Sequence, residues 1–206
     1  MMTITVDDVI IGLRDREVDV EEEAADRAKR IQTELQAIDY RPAADPELVA
    51  AGAVYAAFLR RDRVSGYSHG LLSAVAHAAG GDVDADGVWR TTRRMTGALR
   101  VSDVLDRLSA YGTPVPEQLR DLSFEVYREV DADVAGENRS LPHTHDAVYA
   151  AVVYTAARTH SNVPVTIRDI VLATGTRRDR VSLLTDRITD RLDLTLAVDD
   201  PDAHVR

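Results

Sequence analysis

Apolar residues recur along this chain at helical spacing. Through residues 20–38 and 46–61 they fall every three or four positions, as they do on the buried face of a helix. The same spacing marks residues 101–111, 115–131, 146–158, 167–174 and 181–192. No segment of comparable length alternates apolar and polar residues with the period of two that indicates a half-buried strand. The pattern therefore predicts an all-α protein.

The helical pattern occurs twice. Residues 8–10 and 20–22 match residues 103–105 and 115–117, residues 51–57 match 150–156, and Val88, Met95 and Leu99 match Val181, Ile188 and Leu192. Blocks that match in the same order in both halves indicate an internal repeat. Each half contains five predicted helices, and the third is alanine-rich and apolar nearly all round, so it is expected to be the buried centre. We predict one repeat over residues 1–99, a second over 100–196, and an acidic tail over 197–206.

Composition narrows the class of protein. The chain has 206 residues, no cysteine, and no apolar stretch that approaches the roughly 18–20 residues needed to cross a bilayer. The absence of cysteine excludes disulfides, thiolate catalysis and cysteine-ligated zinc. The amino-terminal residues lack the basic region of a signal peptide, so a cytoplasmic protein without a membrane partner is expected.

The acidic, lysine-poor composition indicates a protein that works at high salt concentration. The formal net charge is −10, and Lys29 is the only lysine among 25 basic residues. Acidic surfaces that are poor in lysine stay hydrated in near-molar salt, which suggests the cytoplasm of an extreme halophile, such as a halophilic archaeon. A GC-rich genome is the alternative explanation. On either account the acidity does not exclude nucleic acid as a partner.

Signatures of catalysis are missing. His143 and His145 lack a third ligand at useful spacing, and the chain has no glycine-rich phosphate loop, no serine nucleophile signature and no HExxH sequence. We therefore expect no catalytic residues, no metal, no cofactor and no small-molecule substrate. The sequence therefore predicts a protein that is not an enzyme.

The second half ends in a predicted helix-turn-helix. Its parts are the segment 167–174, a turn at Gly175, and the segment 181–192. Threonine followed three residues later by an acid is a helix-capping signature, and it occurs at Thr166 and Asp169 and again at Thr176 and Asp179. The pattern predicts a capped start for both helices.

Arginines gather where the last helix begins. Arg177, Arg178 and Arg180 lie in or beside its first turn, where positive charge opposes the helix dipole by about 0.3–1 kcal/mol each. The amino-terminal residues of a recognition helix reach base edges and phosphates, so these arginines suggest DNA contact. The candidate residues are Arg177, Arg178, Arg180, Ser182 and Arg187. The alternative is a solvated face on which the arginines pair with Asp186, Asp190 and Asp193.

The first half contains the most basic stretch. Residues 88–100 include four arginines and no acid. On a helix, Val88, Thr92, Met95 and Leu99 would face inward, and Arg90, Arg93 and Arg94 would share the opposite side as a second candidate DNA contact. The alternative is that these arginines pair with acids of the other repeat.

A family resemblance enters at residues 147–158, an alanine-rich helix that carries Tyr149 and Tyr154. Together with residues 165–170, Gly175 and Val181, this segment resembles the second cyclin-box repeat of archaeal transcription factor B and eukaryotic factor IIB. The resemblance is strong over residues 101–194 and loose over residues 5–99. The resemblance implies two tandem cyclin-like five-helix repeats, and promoter DNA and TATA-binding protein as partners. That family also has a cysteine-rich zinc ribbon that recruits polymerase, and no such ribbon is expected here. The family repeats threonine and arginine along its last helix, where this chain has Arg180, Ser182 and Leu184, so its base preference is expected to differ.

A second function uses the same scaffold. Cyclin-box repeats also serve as adaptors that hold a peptide or protein without touching DNA, and fold alone does not decide between the two functions. The sequence leaves both open: a regulator of transcription initiation that binds DNA, or a protein-binding adaptor.

Overall fold

The computed structural model of the chain describes residues 4–40, 42, 44–61, 69–80, 82–137, 146–159 and 163–196. Within these ranges the chain forms nine helices and no strand, which confirms the all-α prediction. The helices are α1 (Val6–Arg14), α2 (Glu22–Ala37), α3 (Pro46–Arg61), α4 (His69–Ala79), α5 (Ala85–Ala110), α6 (Glu117–Glu137), α7 (Asp146–Thr159), α8 (Ile167–Thr174) and α9 (Arg178–Arg191).

The contacts divide the chain into two compact units, Met1–Thr96 and Gly97–Arg206. The division falls inside α5, whereas the sequence pattern predicts separate helices before and after residue 100. Gly97 is the one glycine near this junction, and it keeps a helical backbone instead of the left-handed conformation that ends many helices. With no proline nearby to interrupt it, the helix continues to Ala110 and turns at Gly112, whose φ is 84°.

In the first unit α3 is the central helix. The helices α1, α2 and α4 pack against it, and every residue from 50 to 58 is buried. Glycines allow close approach at two helix contacts. A Cβ on Gly12 would lie 2.9 Å from the carbonyl oxygen of Ala78, and a Cβ on Gly52 would lie 3.3 Å from the backbone nitrogen of Thr92. Small residues therefore set the spacing of α1 from α4 and of α3 from α5.

In the second unit α7 has the corresponding role. The helices α6, α8 and α9 pack against it, and every residue from 147 to 157 except Tyr149 is buried. The ring of Tyr149 lies 6.4 Å from the ring of Tyr127 on α6, and Tyr127 in turn covers Gly97 on α5. The prediction that each alanine-rich helix is a buried centre is thus confirmed for both α3 and α7.

Two further observations concern the part of the chain that the structure describes. None of its helices is long and apolar enough to cross a membrane, and no group of three or more histidine or acidic side chains is arranged to hold a metal ion. His143, His145 and the predicted acidic tail, residues 197–206, lie outside the described residues.

Candidate nucleic-acid interface

The helix α8 begins with the predicted capping box. The backbone nitrogen of Asp169 donates to Oγ1 of Thr166 at 3.3 Å, and the backbone nitrogen of Thr166 donates to the Asp169 carboxylate at 2.9 Å. This exchange satisfies donors that would otherwise lack partners at a helix start. Ile167, Ile170 and Ala173 form the buried face of the helix. The prediction of a helix over 167–174 with a capped start is confirmed.

The turn after α8 depends on a glycine. Gly175 caps the helix with φ 68°, and its backbone nitrogen donates to the carbonyl oxygen of Val171 at 2.9 Å. A left-handed backbone at this position favours glycine because other residues bring a Cβ too close to the following carbonyl. Arg177, two residues later, is the cap residue of α9, and the helix begins at Arg178. The connection between the helices is therefore short and defined by backbone geometry.

The second predicted capping box, from Thr176 to Asp179, is wrong. The first helical residue of α9 is Arg178, and the cap position belongs to Arg177, whose side chain makes no capping bond. The Thr176 hydroxyl lies 2.6 Å from the Thr174 hydroxyl, so it is engaged on the α8 side of the turn. The backbone nitrogen of Thr176 also donates to the Thr174 hydroxyl, at 3.3 Å, so it does not make the reciprocal bond of the predicted box with Asp179, which has another partner.

That partner is Arg177. Its guanidinium donates to both oxygens of the Asp179 carboxylate, from Nε at 3.1 Å and from Nη2 at 2.6 Å. The hydrogen bond from Arg177 is the main reason that the pKa of Asp179 is lowered. Both side chains are well exposed, at 77% and 63%, so the pair contributes little to folding. It does hold one of the predicted DNA-contacting arginines against its own helix.

Arg178 has a different environment. The residue is half-buried, and its Nη2 atom is buried without a hydrogen-bond partner among the described residues. A buried guanidinium nitrogen without an acceptor is unfavourable, because the donor has given up its bonds to water. Arg178 is thus a donor that lacks an acceptor at the start of α9.

The outer face of α9 carries two unpaired arginines. Val181, Leu184, Thr185 and Ile188 face the core, while Arg180 and Arg187 are exposed. Within the described ranges neither arginine side chain makes a hydrogen bond or an ion pair, and the side chains of Asp186, Asp190 and Asp193 make none either. The alternative in which these aspartates neutralise the arginines therefore does not describe Arg180 or Arg187.

Leu183 also lies on this exposed face, although the sequence does not predict it as a contact residue. It is 51% exposed, between Arg180 and Arg187, whereas the adjacent Leu184 is buried. Val181, Leu184 and Ile188 follow the three- and four-residue spacing of a core face, and Leu183 falls outside it, which is the signal that could have found it. Ser182, another predicted contact, is half-buried on the other flank of the helix.

The basic stretch on α5 is less open than predicted. Val88, Thr92, Met95 and Leu99 are buried as expected. Of the three outer arginines, however, only Arg90 is exposed. Arg93 and Arg94 are half-buried, and both are engaged by other groups.

Trp89, which lies beside these arginines, also faces the protein interior. Its ring meets the Tyr55 ring edge-on at 6.3 Å, and so it packs against α3. Among Arg90, Arg93 and Arg94, Arg90 is therefore the one whose side chain is open to an external partner. The structure does not bring it together with α9 in one unit.

Comparison with known proteins does not assign the chain to a family. No family model matches the chain, and no curated protein sequence matches it. A function has to be argued from the side chains themselves.

Proposed function

We propose that this protein is a transcription-factor-B-like regulator of transcription initiation that binds promoter DNA, TATA-binding protein, or both. Its 206 residues include no cysteine and so supply no ligands for a zinc ribbon. In the proposed role these residues act at the promoter through their helical units.

The arrangement of helices supports the two-repeat part of the proposal. When α5 is counted in both units, the described residues of each unit form five helical segments. The helices α2 and α6 begin at Glu22 and Glu117, which are 95 residues apart, as are the matched sequence blocks around them. In each unit the third segment is the buried centre. Tyr55 and Tyr154, which align in the sequence, are both buried within those central helices.

The observation that carries the DNA-binding part is the unpaired state of Arg180 and Arg187. In a chain with a net charge of −10, two exposed arginines on the helix after a tight turn make no ion pair within the described residues. The second helix of a helix-turn-helix lies in the major groove, where arginine pairs with guanine through two hydrogen bonds. Their placement fits that role.

The salt concentration determines which interactions supply the affinity of such an interface for DNA. In near-molar salt, counterion release adds little to affinity, because the released ions enter an already concentrated solution. Specific hydrogen bonds, apolar contacts and a protein partner must then supply most of the binding. Arginines with free guanidinium groups suit that requirement better than a diffuse positive field.

The test is a fluorescence anisotropy titration of labelled promoter DNA in 0.2 M and 2 M KCl, with and without TATA-binding protein. The wild type is compared with Arg180→Ala/Arg187→Ala. The matched control is Arg30→Ala/Arg107→Ala, which removes two exposed arginines, on α2 and α5, that have no partners in the described ranges. Since one base contact by arginine is worth about 1–3 kcal/mol, the α9 variant should bind at least about tenfold more weakly.

The control should bind like the wild type at 2 M KCl. Equal losses in both double variants would mean that only net charge matters. If the wild type binds neither DNA nor TATA-binding protein, the proposed function is wrong. Arg90→Ala, measured in the same titration, reports whether α5 takes part.

The protein-binding adaptor has one observation in its favour. The first unit contains a pocket of about 590 Å³, a size typical of ligand sites, between the start of α1, the end of α2 and the start of α3. Its described lining is uncharged and comprises Ile4, Thr5, Gln32, Leu35, Gln36, Tyr40, Pro42, Ala44, Pro46 and Val49. As an adaptor, the protein should bind purified TATA-binding protein in sedimentation experiments without DNA. Val49→Glu should remove that binding, and Arg180→Ala/Arg187→Ala should not.

A further inference from the structure

The exposed leucine on α9 breaks the pattern of its helix. The other apolar residues of the described helix, Val181, Leu184 and Ile188, are buried against the core, with Leu192 half-buried just after it. Leu183 instead projects from the outer face, 51% exposed. An isolated exposed leucine is common on protein surfaces and means little by itself. Its neighbours on the helix surface give it significance.

Leu183 has Arg180 three residues before it and Arg187 four residues after it on one side, and Asp179 and Asp186 at i−4 and i+3 on the other side. Residues at these spacings lie side by side on a helix surface, so the side chains of Arg180, Leu183 and Arg187 form one stripe. Both arginines are exposed and make no hydrogen bond or ion pair within the described part of the chain. The stripe thus presents two free guanidinium groups with an aliphatic group between them.

The dimensions of the stripe match a short run of base pairs. At about 1.5 Å per residue, Arg180 and Arg187 are about 10.5 Å apart along the helix axis. Base pairs are stacked about 3.4 Å apart, so this length corresponds to about three steps of duplex DNA. In the major groove guanine offers two acceptors to arginine, whereas the 5-methyl group of thymine offers an apolar surface.

We propose that Leu183 selects thymine by packing on its 5-methyl group, at a position flanked by guanine contacts of Arg180 and Arg187. The inference rests on the proposed DNA-binding function and adds a base preference to it. No other base has this methyl group in the major groove, so an aliphatic side chain at the centre of the stripe favours thymine at one position of the site.

The acidic side chains of α9 restrict how it can dock. Asp179, Asp186 and Asp190 are exposed on the adjoining stripe, where they would repel phosphates. Asp179 is partly neutralised by Arg177, and the other two make no ion pair in the described residues. When the Arg180–Leu183–Arg187 stripe faces the bases, the helix must therefore be oriented so that these flanking aspartates do not approach the phosphates.

The test uses deoxyuridine, which differs from thymidine only in lacking the 5-methyl group. A preferred site is first selected from random duplex DNA with the wild-type protein in 2 M KCl. Each thymine of that site is then replaced singly by deoxyuridine, and the Kd is measured by anisotropy. Burying one methyl group is worth about 0.8 kcal/mol, so one replacement should weaken wild-type binding about fourfold.

Leu183→Ala should bind the thymine site several-fold more weakly and should not respond to that replacement. Leu172→Ala removes the other exposed leucine of the α8–α9 pair and should keep the full fourfold response. Both positions are exposed, so both variants should fold, which circular dichroism would verify.

The outcomes separate the two proposals. If DNA binding depends on Arg180 and Arg187 but no thymine replacement distinguishes the wild type from Leu183→Ala, the thymine inference fails and the DNA-binding function stands. If the wild type binds no DNA, both fail. If Leu183→Ala loses affinity for TATA-binding protein and not for DNA, the leucine contacts protein and the inference is overturned.

Discussion

The hydroxyl of Thr92 on α5 donates a 3.2 Å hydrogen bond to the backbone carbonyl oxygen of Gly52 on α3. The residues that align with them in the second unit are Thr185 and Ala151. Thr185 is only 1% exposed, yet its Oγ1 atom has no hydrogen-bond partner among the described residues. We attribute the difference to the alanine, because its methyl group keeps a helix from approaching as closely as it does at glycine.

This contrast predicts opposite effects for one substitution. Thr92→Val keeps the shape of the side chain and loses the bond to Gly52, so it should lower the free energy of unfolding by about 0.5–1.5 kcal/mol. Thr185→Val removes a buried hydroxyl that has no partner, so it should leave stability unchanged or raise it. Urea unfolding in 2 M KCl measures both, and each variant is the control for the other. Equal losses at the two positions would contradict the assignment.

A second prediction concerns Gly97, which lies under the Tyr127 ring. A Cβ at this position would collide with the ring, so Gly97→Ala should cost about 1–3 kcal/mol despite the higher helix propensity of alanine. Gly70, in α4, has no atom within 4 Å of a Cβ, so Gly70→Ala should be neutral or slightly stabilising. Thermal unfolding of the two variants makes the comparison.

If the cost at Gly97 arises from Tyr127, the two sites should be coupled. The double variant Gly97→Ala/Tyr127→Ala should then lose less stability than the two single variants together. Additive losses would place the cause elsewhere.

A third prediction concerns the cap position of α9. Arginine is a poor residue at a helix start, and Arg177 makes no capping bond there. Arg177→Ser should therefore raise the free energy of unfolding, by about 0.5–1 kcal/mol. Thr166→Ala, which removes a cap that the structure does contain, should lower stability by about 1 kcal/mol and calibrates the measurement. A helix that began at Thr176 would gain nothing from serine at position 177.

The sequence predicts those features that depend on neighbouring residues. The bounds of α8 follow from Thr166, Asp169 and Gly175, which specify its two ends through local bonds and backbone conformation. The central position of α3 and α7 follows from their composition, since helices that are apolar nearly all round have no side to offer to water. Both features were predicted for that reason.

Features that depend on competition between partners could not be predicted. The sequence at Thr176 and Asp179 satisfies the pattern of a capping box. In the structure, however, the Thr176 side chain is bonded to Thr174 and the Asp179 side chain to Arg177. The continuity of α5 depends on a helical Gly97, a position that a sequence pattern treats as a possible end. Likewise, Arg93 and Arg94 fall on the outer side of an isolated helix, and only packing makes them half-buried.

The last prediction uses the pair formed by Arg177 and Asp179 to test whether DNA contacts begin at the start of α9. Asp179→Asn removes the charge that holds the Arg177 guanidinium against its own helix, so the arginine becomes available to a phosphate. Affinity for DNA should rise, and the slope of log K against log salt should steepen by about 0.9, the value for one additional phosphate contact.

Asp186→Asn is the matched control for this change, because it removes the same charge from the same helix at a side chain that makes no ion pair within the described residues. It should raise affinity through weaker repulsion alone, with a smaller change in slope. Anisotropy titrations between 0.2 M and 2 M KCl give both quantities. Equal gains and equal slopes for the two variants would show that Arg177 does not reach the DNA, and the interface would then begin at Arg180.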